Sequence, residues 1–280
     1  MTQGEREKAI RRILVALDAS PHSLAALRAA AELASRLDAE IIGVFVEDIR
    51  LLRVAESPLA RQVTSYSRTM HAFDTRQIER ELRAQAERAR RTMALLAARA
   101  RLRSSFQVAR GEIAAELLRY AAEADMIFLG RTGWSGKRQL GSTTRIIIDQ
   151  SPRQTMILGQ VARLGLQLGL VYDGSEKSLP ALQAAANLVM EANAYLTVLI
   201  LANHPDTARQ YQTEASAWLS EHGLSASFHW LVNTSINVLV SLLRTENLGA
   251  LVIPTGSEAV PVSVLAELID KIDIPILLAR

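Results

Sequence analysis

The sequence contains no cysteine, few aromatic residues and no uninterrupted apolar run of membrane-spanning length. The lack of cysteine excludes disulfides, thiolate metal sites and cysteine nucleophiles, and it suits a reducing compartment. The longest apolar-rich segment, residues 156–172, is interrupted by Gln160, Arg163 and Gln167 and falls short of the roughly 20 apolar residues that a membrane span needs. The polar start, MTQGEREKAIRR, does not resemble a secretory signal. We therefore expect a cytoplasmic protein without membrane contact.

The charges are unevenly distributed along the chain. Residues 1–155 carry 26 basic and 18 acidic residues, whereas residues 156–280 carry 6 and 11. Either the first half handles an anion, or the arginine-rich segment near residues 75–103 is a solvated helix face, and the second interpretation is the simpler one. Aromatic residues make up 5% of the chain and do not alternate with basic ones. Nucleic-acid binding is therefore not predicted.

An internal repeat dominates the sequence. Residues 13–45 align without gaps with residues 168–200, at a constant offset of 155, and eleven of the 33 aligned residues are identical. The identities include Asp18 with Asp173 and Ser20 with Ser175. Repeats of this kind indicate two copies of one structural unit. We place the boundary near residue 160, which gives domains at 1–160 and 161–280.

Each unit is predicted to alternate strands and helices. Short apolar runs predict strands, longer segments with helical spacing predict helices, and Ser20 followed by Pro21 is typical of a helix start. The predicted strands are 13–17, 41–46, 106–109, 126–129, 155–158, 168–172, 196–201, 227–232, 250–253 and 274–278, and the predicted helices of the first unit are 21–37, 77–100, 112–123 and 142–149.

This alternation predicts an α/β fold of two tandem, doubly wound, five-stranded parallel sheets of the Rossmann-like type. In such folds, ligands bind beyond the carboxyl ends of the strands, where the strand order switches. Asp18 follows the first strand and Gly130 ends the fourth. If these two strands are neighbours, both residues border one crevice.

The stretch GRTGWSGKRQLGST, Gly130 to Thr143, carries the main chemical signal. It resembles a P-loop, but Gly136-Lys137 lies one residue too far along and Arg138 replaces the Ser or Thr. Glycines allow backbone amides to approach phosphate oxygens, and a helix that begins at Gly141 offers further amides and its positive dipole end. Lys137 and Arg138, together with Arg131, would add positive charge, and Ser142 a hydroxyl donor.

The repeat and this motif resemble the universal stress protein family, and in particular its tandem-domain members. The nucleotide-binding pattern of that family is Gly, two residues, Gly, nine residues, then Gly-Ser or Gly-Thr. Gly130, Gly133 and Gly141-Ser142 match it, except that the second gap has seven residues. The resemblance covers nearly the whole chain apart from an enlarged region around residues 49–100.

The resemblance implies an adenine nucleotide alpha-hydrolase-like fold that binds ATP or AMP, with Mg²⁺ as an optional companion. Asp18 would contact the edge of adenine, and the backbone of Val46 would contact its ring. Arg131 and Thr143 would lie near the phosphates. It further implies a stress-response regulator that forms a homodimer, or a pseudo-dimer within one chain, through the last strand of each unit, and that acts on a protein partner of unknown identity.

The second unit is expected to lack such a nucleotide site. It keeps Asp173-Gly174-Ser175, but Pro254 and Ser257 stand where the first unit has Gly130 and Gly133. The final Gly-Ser corresponds approximately to Val262-Ser263. Proline offers no amide, and the added side chains obstruct the approach to the backbone.

Simpler interpretations remain open for the first unit. The glycine-rich loop is also consistent with a tight turn alone, Asp18 with a turn-stabilising role alone, and Trp134 is more simply a packing residue than a base-stacking one. The whole chain is then a docking scaffold without nucleotide, or, less readily, an adenylyl-transferring ligase. No catalytic residue is assigned, so slow ATP hydrolysis is the most that we expect. The five histidines are scattered, and no metal site is predicted.

Overall fold

The central feature of the computed structural model is one ten-stranded sheet that contains strands from both halves of the chain. The structure describes residues 10–56, 61–63, 70–72, 75–132, 140–160, 165, 167–257 and 259–280. The strand order is β10-β9-β8-β11-β12-β7-β6-β1-β2-β5. All neighbouring pairs are parallel except β7 with β12, which is antiparallel. The predicted α/β class is confirmed.

The two halves share one order of elements, except that the first half has an additional helix and a short strand pair after β2. The first half comprises β1 (Arg12–Leu17), α1 (Pro21–Leu37), β2 (Glu40–Asp48), α2 (Ile49–Glu56), β3 (Arg61–Val63), β4 (Met70–Ala72), α3 (Thr75–Ala100), β5 (Ser104–Gly111), α4 (Ile113–Ala121), β6 (Met126–Gly130), α5 (Ser142–Gln150) and β7 (Gln154–Leu158). The second half comprises β8 (Gln167–Tyr172), α6 (Ser178–Ala192), β9 (Tyr195–Ala202), α7 (Pro205–Glu221), β10 (Ala226–Val232), α8 (Ile236–Thr245), β11 (Ala250–Pro254), α9 (Val262–Lys271) and β12 (Ile276–Ala279).

The central strands are buried on both faces, as their continuous apolar runs predict, whereas the edge strands β5 and β10 are partly exposed. Ile13, Leu14 and Val15 of β1 have no exposed surface. On one face of the sheet, α1, α3, α6 and α7 share a single apolar core that runs through both halves. On the other face, two separate clusters lie beneath α4 with α5 and beneath α8 with α9.

Helix α1 begins where the sequence predicts. The Ser20 hydroxyl accepts a hydrogen bond from the Ser23 amide at 3.2 Å, and Pro21 occupies the first helical position. The amide of Ser23 would otherwise lack a partner in the first turn, so this cap stabilises the helix end by about 1 kcal/mol. The chain leaves the helix through Asp38 in the left-handed conformation.

The arginine-rich helix α3 has one buried side and one exposed side. Leu82, Ala86, Ala89, Met93 and Ala97 are buried against the core. On the exposed side, arginines pair with glutamates one turn away, for example Arg90 and Arg91 with Glu87. Hydrogen bonds from these two arginines lower the pKa of Glu87 to about 2. Surface pairs of this kind contribute little to stability, so α3 is held by its apolar side.

The segment after β2 differs from the prediction. The sequence predicts an irregular stretch, whereas the structure contains α2 and the antiparallel pair of β3 with β4. Strands of three residues are too short to show a two-residue periodicity, which explains why the sequence pattern missed them. No described helix is both long and apolar enough to cross a membrane.

The shared core and the seam between β7 and β12 predict that the two halves unfold together. In a Trp134→Phe background, both remaining tryptophans, Trp218 and Trp230, lie in the second half. Phe128→Ala, at a fully buried position of β6, should destabilise the protein by about 3–5 kcal/mol. We expect Phe128→Ala to lower the urea midpoint that is measured by the fluorescence of these second-half tryptophans.

The control is Leu95→Ala, at a side chain of α3 that is 62% exposed. This change should alter the free energy of unfolding by no more than about 0.5 kcal/mol. An unchanged second-half transition in Phe128→Ala would show that the halves unfold independently.

Candidate functional site

The candidate site lies at the carboxyl edge of the first-half strands. Strand β1 pairs with β2 on one side and with β6 on the other, both in parallel register. The chain leaves β1 towards β2 and returns later to β6, so the strand order switches at β1. The first and fourth predicted strands of the first unit, β1 and β6, are therefore neighbours. Loops on the two sides of such a switch diverge and leave a crevice.

Asp18 forms the turn that leads from β1 into α1. Its Oδ1 accepts a hydrogen bond from the Ser20 amide at 2.8 Å, and its own amide donates to Ser23 Oγ at 3.4 Å. Ala19 between them has a positive φ of 59°. The turn role that the sequence left open is therefore present, and contact with adenine stays a prediction.

Val46 lies beside Asp18 at the mouth of the crevice. The last residue pair of β1 and β2 is Leu17 with Phe45, so these strands separate at Asp18 and Val46. Val46 continues to pair with Ala109 of β5, and its side chain is buried. Val46 is thus the first residue of β2 whose backbone is no longer paired with β1.

Gly130 is required for packing against α1. A Cβ at this position would lie 2.8 Å from His22 Cβ, 2.9 Å from the His22 carbonyl carbon and 3.0 Å from the Ser23 amide nitrogen. Two of these three atoms belong to the backbone of the first turn of α1, which cannot move aside without unwinding the helix. The glycine lets β6 end directly against that turn.

Helix α5 begins at Gly141 with an open first turn. Gly141 is the N-cap residue, no described side chain caps the helix, and the first turn contains no acidic residue. A Cβ at Gly141 would meet its nearest neighbours, Arg131 O and Thr132 Cα, at 3.6 and 3.7 Å, which is ordinary contact. Ser142 is exposed, Thr143 is half-buried, and Thr144 Oγ1 donates to Gly130 O at 3.1 Å. This last contact, which the sequence did not indicate, joins the helix start to the end of β6.

Arg131 faces the second half of the chain. Its Nη1 donates to Ile269 O at 3.1 Å and to Ile272 O at 3.0 Å, and its Nη2 lies 3.1 Å from Asp273 Oδ1. The side chain is only 12% exposed. The guanidinium predicted to lie near phosphates therefore binds the carboxyl end of α9. Gly133, Trp134, Lys137 and Arg138 lie outside the described residues.

His22, one of the scattered histidines, also lies at the candidate site, next to Gly130. It is 8% exposed at the start of α1, and its Nδ1 has no partner among the described residues. Burial, and then the charge of Arg131, lower its pKa despite a hydrogen bond with the Leu158 backbone and the charge of Asp18. The folded protein thus favours neutral His22, and this residue lowers stability as the pH falls through its unfolded value of about 6.5.

The corresponding crevice of the second half is filled by its own side chains. Asp173 repeats the turn of Asp18, since its Oδ1 accepts from the Ser175 amide at 3.1 Å. Its carboxylate also accepts hydrogen bonds from the hydroxyls of Ser175, Ser178 and Ser257. Ser257 stands where the first half has Gly133. The Ser257 side chain thus binds the Asp173 carboxylate in the second-half crevice.

An aromatic ring covers the same corner of the second half. Gly174 has a φ of +69°, and a Cβ there would lie 2.1 Å from Tyr211 Cε1. The Tyr211 ring of α7 also packs edge-on against Tyr172, with centroids 6.3 Å apart. Helix α9 begins at Pro261, so this proline is the structural counterpart of Gly141, one residue before the predicted match. These substitutions account for the expected loss of a nucleotide site here.

Opposing effects set the pKa of Asp173. Burial raises the pKa, but the hydrogen bonds from Ser178, Ser257 and Ser175 outweigh burial and leave it below its usual value. A carboxylate whose pKa is depressed on folding stabilises the folded state above its unfolded pKa of about 3.9. That contribution is lost as the pH falls through the lower, folded value.

Ser257→Ala should raise the pKa of Asp173 and destabilise the protein by about 1–3 kcal/mol at pH 7, because a buried carboxylate loses a donor. The deficit should shrink as the pH falls through the raised pKa of Asp173 in the variant and then through the lower pKa of the wild type, because the carboxylate is then protonated in both proteins. Urea unfolding at several pH values measures it. Ser220→Ala, at an exposed helix position, is the control. A deficit independent of pH would contradict the assigned role of the carboxylate.

Gly130→Ala and Gly141→Ala should differ in stability. The methyl group at position 130 collides with the backbone of α1, and overpacking of this kind costs about 1–3 kcal/mol. The methyl group at position 141 has room, so the only expected cost is that alanine is a poorer N-cap residue than glycine, at most about 1 kcal/mol. Chemical denaturation compares them, and equal destabilisation would refute the packing role of Gly130.

Comparison with known proteins agrees with this architecture. The model of the universal stress protein family matches residues 9–159, more than half of the chain. A crystal structure of a universal stress protein from Archaeoglobus fulgidus DSM 4304 shares 16% identity, covers 96% of this chain and 98% of that one, and has a TM-score of 0.75. A putative universal stress protein from Pseudomonas aeruginosa UCBPP-PA14 shares 18% identity over 97% and 93%, with a TM-score of 0.60. No curated protein matches the chain. The chain therefore belongs to the universal stress protein family.

Proposed function

We propose that this protein acts in the stress response and binds an adenine nucleotide, ATP or AMP, in the crevice of its first half. The single observation that carries the proposal is the open first turn of α5 beside the switch in strand order. The amides of this turn, which no described side chain caps, and the helix dipole favour a phosphate group. The domain boundary near residue 160 and the cytoplasmic location belong to the same proposal.

The described residues fit such a ligand. Gly141 leaves free the space that a Cβ would fill, and the hydroxyl of Ser142 is on an exposed residue of the same turn. Thr132, whose buried Oγ1 has no described partner, lies where β6 leads towards this helix. The amides of Ser142 and Thr143 would bind phosphate oxygens, and Asp18 with Val46 would contact the base.

Two features restrict the proposal to the first half and to binding. The second-half crevice is occupied by Ser257 and covered by Tyr211, so one nucleotide per chain is expected. Arg131 is bound to α9, so phosphate affinity depends on backbone donors rather than on this cation. No general base has been assigned, and hydrolysis faster than a slow background is not part of the proposal.

Gly141→Val should abolish saturable binding of a fluorescent ATP analogue while the protein remains folded. The branched side chain would fill the space beside the first amides of α5 and block the approach of phosphate. Titration followed by fluorescence anisotropy measures the affinity, and circular dichroism checks the fold. Because Gly130→Val would also disturb packing against α1, it is the less informative variant.

The matched control is Pro261→Val, which introduces the same side chain at the start of α9. It should bind the analogue as the wild type does. Absence of saturable binding by the wild type would overturn the proposal and favour a docking scaffold of the same fold. Mass spectrometry of small molecules released from freshly purified protein would identify the nucleotide.

A further inference from the structure

Both ends of the loop between β6 and α5 are attached to one short segment of the second half. At the first end, Arg131 binds Ile269 O, Ile272 O and Asp273. At the other end, the amide of Leu140 donates to Asp270 Oδ1 at 2.9 Å. All of the partner groups lie between residues 269 and 273, at the carboxyl end of α9.

The two loop ends are also joined to each other. The amide of Gly141 donates to Arg131 O at 3.0 Å. This bond holds Arg131 beside Gly141, the residue that follows the second anchored residue, Leu140. Leu140 is 5% exposed, and Asp270 provides the hydrogen-bond acceptor that its amide needs at this buried position. The carboxyl end of a helix leaves carbonyl groups without helical partners and favours a cation, which explains why Arg131 binds there.

We infer that the second half serves as a fixed positioning partner for the phosphate-binding helix start of the first half. Asp270 and Arg131 are positioning residues: they do not contact the ligand but hold the residues on either side of the loop, and thereby the first amides of α5. This inference rests on the proposed function, because it assigns to the second half a role in that same site. It also gives the half without a nucleotide site a role in binding.

Asp270→Ala removes the acceptor of the Leu140 amide and should raise the dissociation constant of the fluorescent ATP analogue at least about 5-fold. Asp270→Asn keeps an acceptor oxygen in the same place and should restore the affinity to within about 2-fold of the wild type. Glu267→Ala is the matched control, because Glu267 lies on the same helix but pairs with Lys271 rather than with the first half. A general loss of structure would not be rescued by asparagine.

Hydrogen exchange without ligand tests the positioning directly. In Asp270→Ala, amides of residues 140–145 should exchange faster than in the wild type, whereas those of α4 should not change. Asp270→Ala with wild-type affinity and wild-type exchange would overturn the inference. If the wild type binds no nucleotide, the proposed function fails, while the exchange result still decides whether Asp270 holds the loop.

Discussion

The antiparallel pairing of β7 with β12 joins the strands of the two halves into one continuous sheet. Each half alone would end its sheet at one of these strands, with unpaired backbone groups and an apolar edge. Pairing Ile157 with Ile276 and Thr155 with Leu278 removes both edges at once. The resemblance to family members that pair through their last strands predicted such a join, and it occurs here within one chain.

The same pairing lets two arginine side chains reach across the seam to the carboxyl ends of α5 and α9. Arg131 of the first half binds carbonyl groups at the end of α9, and Arg280 of the second half donates to Ile148 O near the end of α5. Each half thus supplies a cation to the carboxyl end of a helix in the other. These contacts place the candidate site next to the seam rather than in an isolated domain.

The two halves show how one turn can be kept while its surroundings diverge. Asp18 and Asp173 each accept a hydrogen bond from the amide of the serine two residues further along the chain. In both halves the residue between the aspartate and that serine has a positive φ. In the second half, Ser257 and Tyr211 occupy the space around the carboxylate. A buried carboxylate needs such donors, since desolvation would otherwise favour its protonated form. The second crevice therefore contributes to stability through its own side chains.

Local patterns in the sequence were sufficient to predict most elements of the fold. Apolar runs located every strand of the main sheet because buried parallel strands tolerate few polar residues, and the 155-residue offset identified the repeated unit. Ser20 with Pro21 located the start of α1 because capping is a local interaction. The resemblance to the family rested on the repeat and the glycine pattern, and Asp18 and Gly130 were expected to border one crevice if their strands were neighbours.

Contacts between side chains of distant segments could not be predicted from the sequence and are seen only in the tertiary structure. It turned Arg131 towards α9, showed that Gly130 packs against His22, and linked Leu140 to Asp270 across 130 residues. It also moved the counterpart of Gly141 to Pro261 and found a helix and a strand pair after β2. Local sequence carries no record of such contacts, because a charged or small residue suits many surroundings and the partner is chosen by the way the sheet closes.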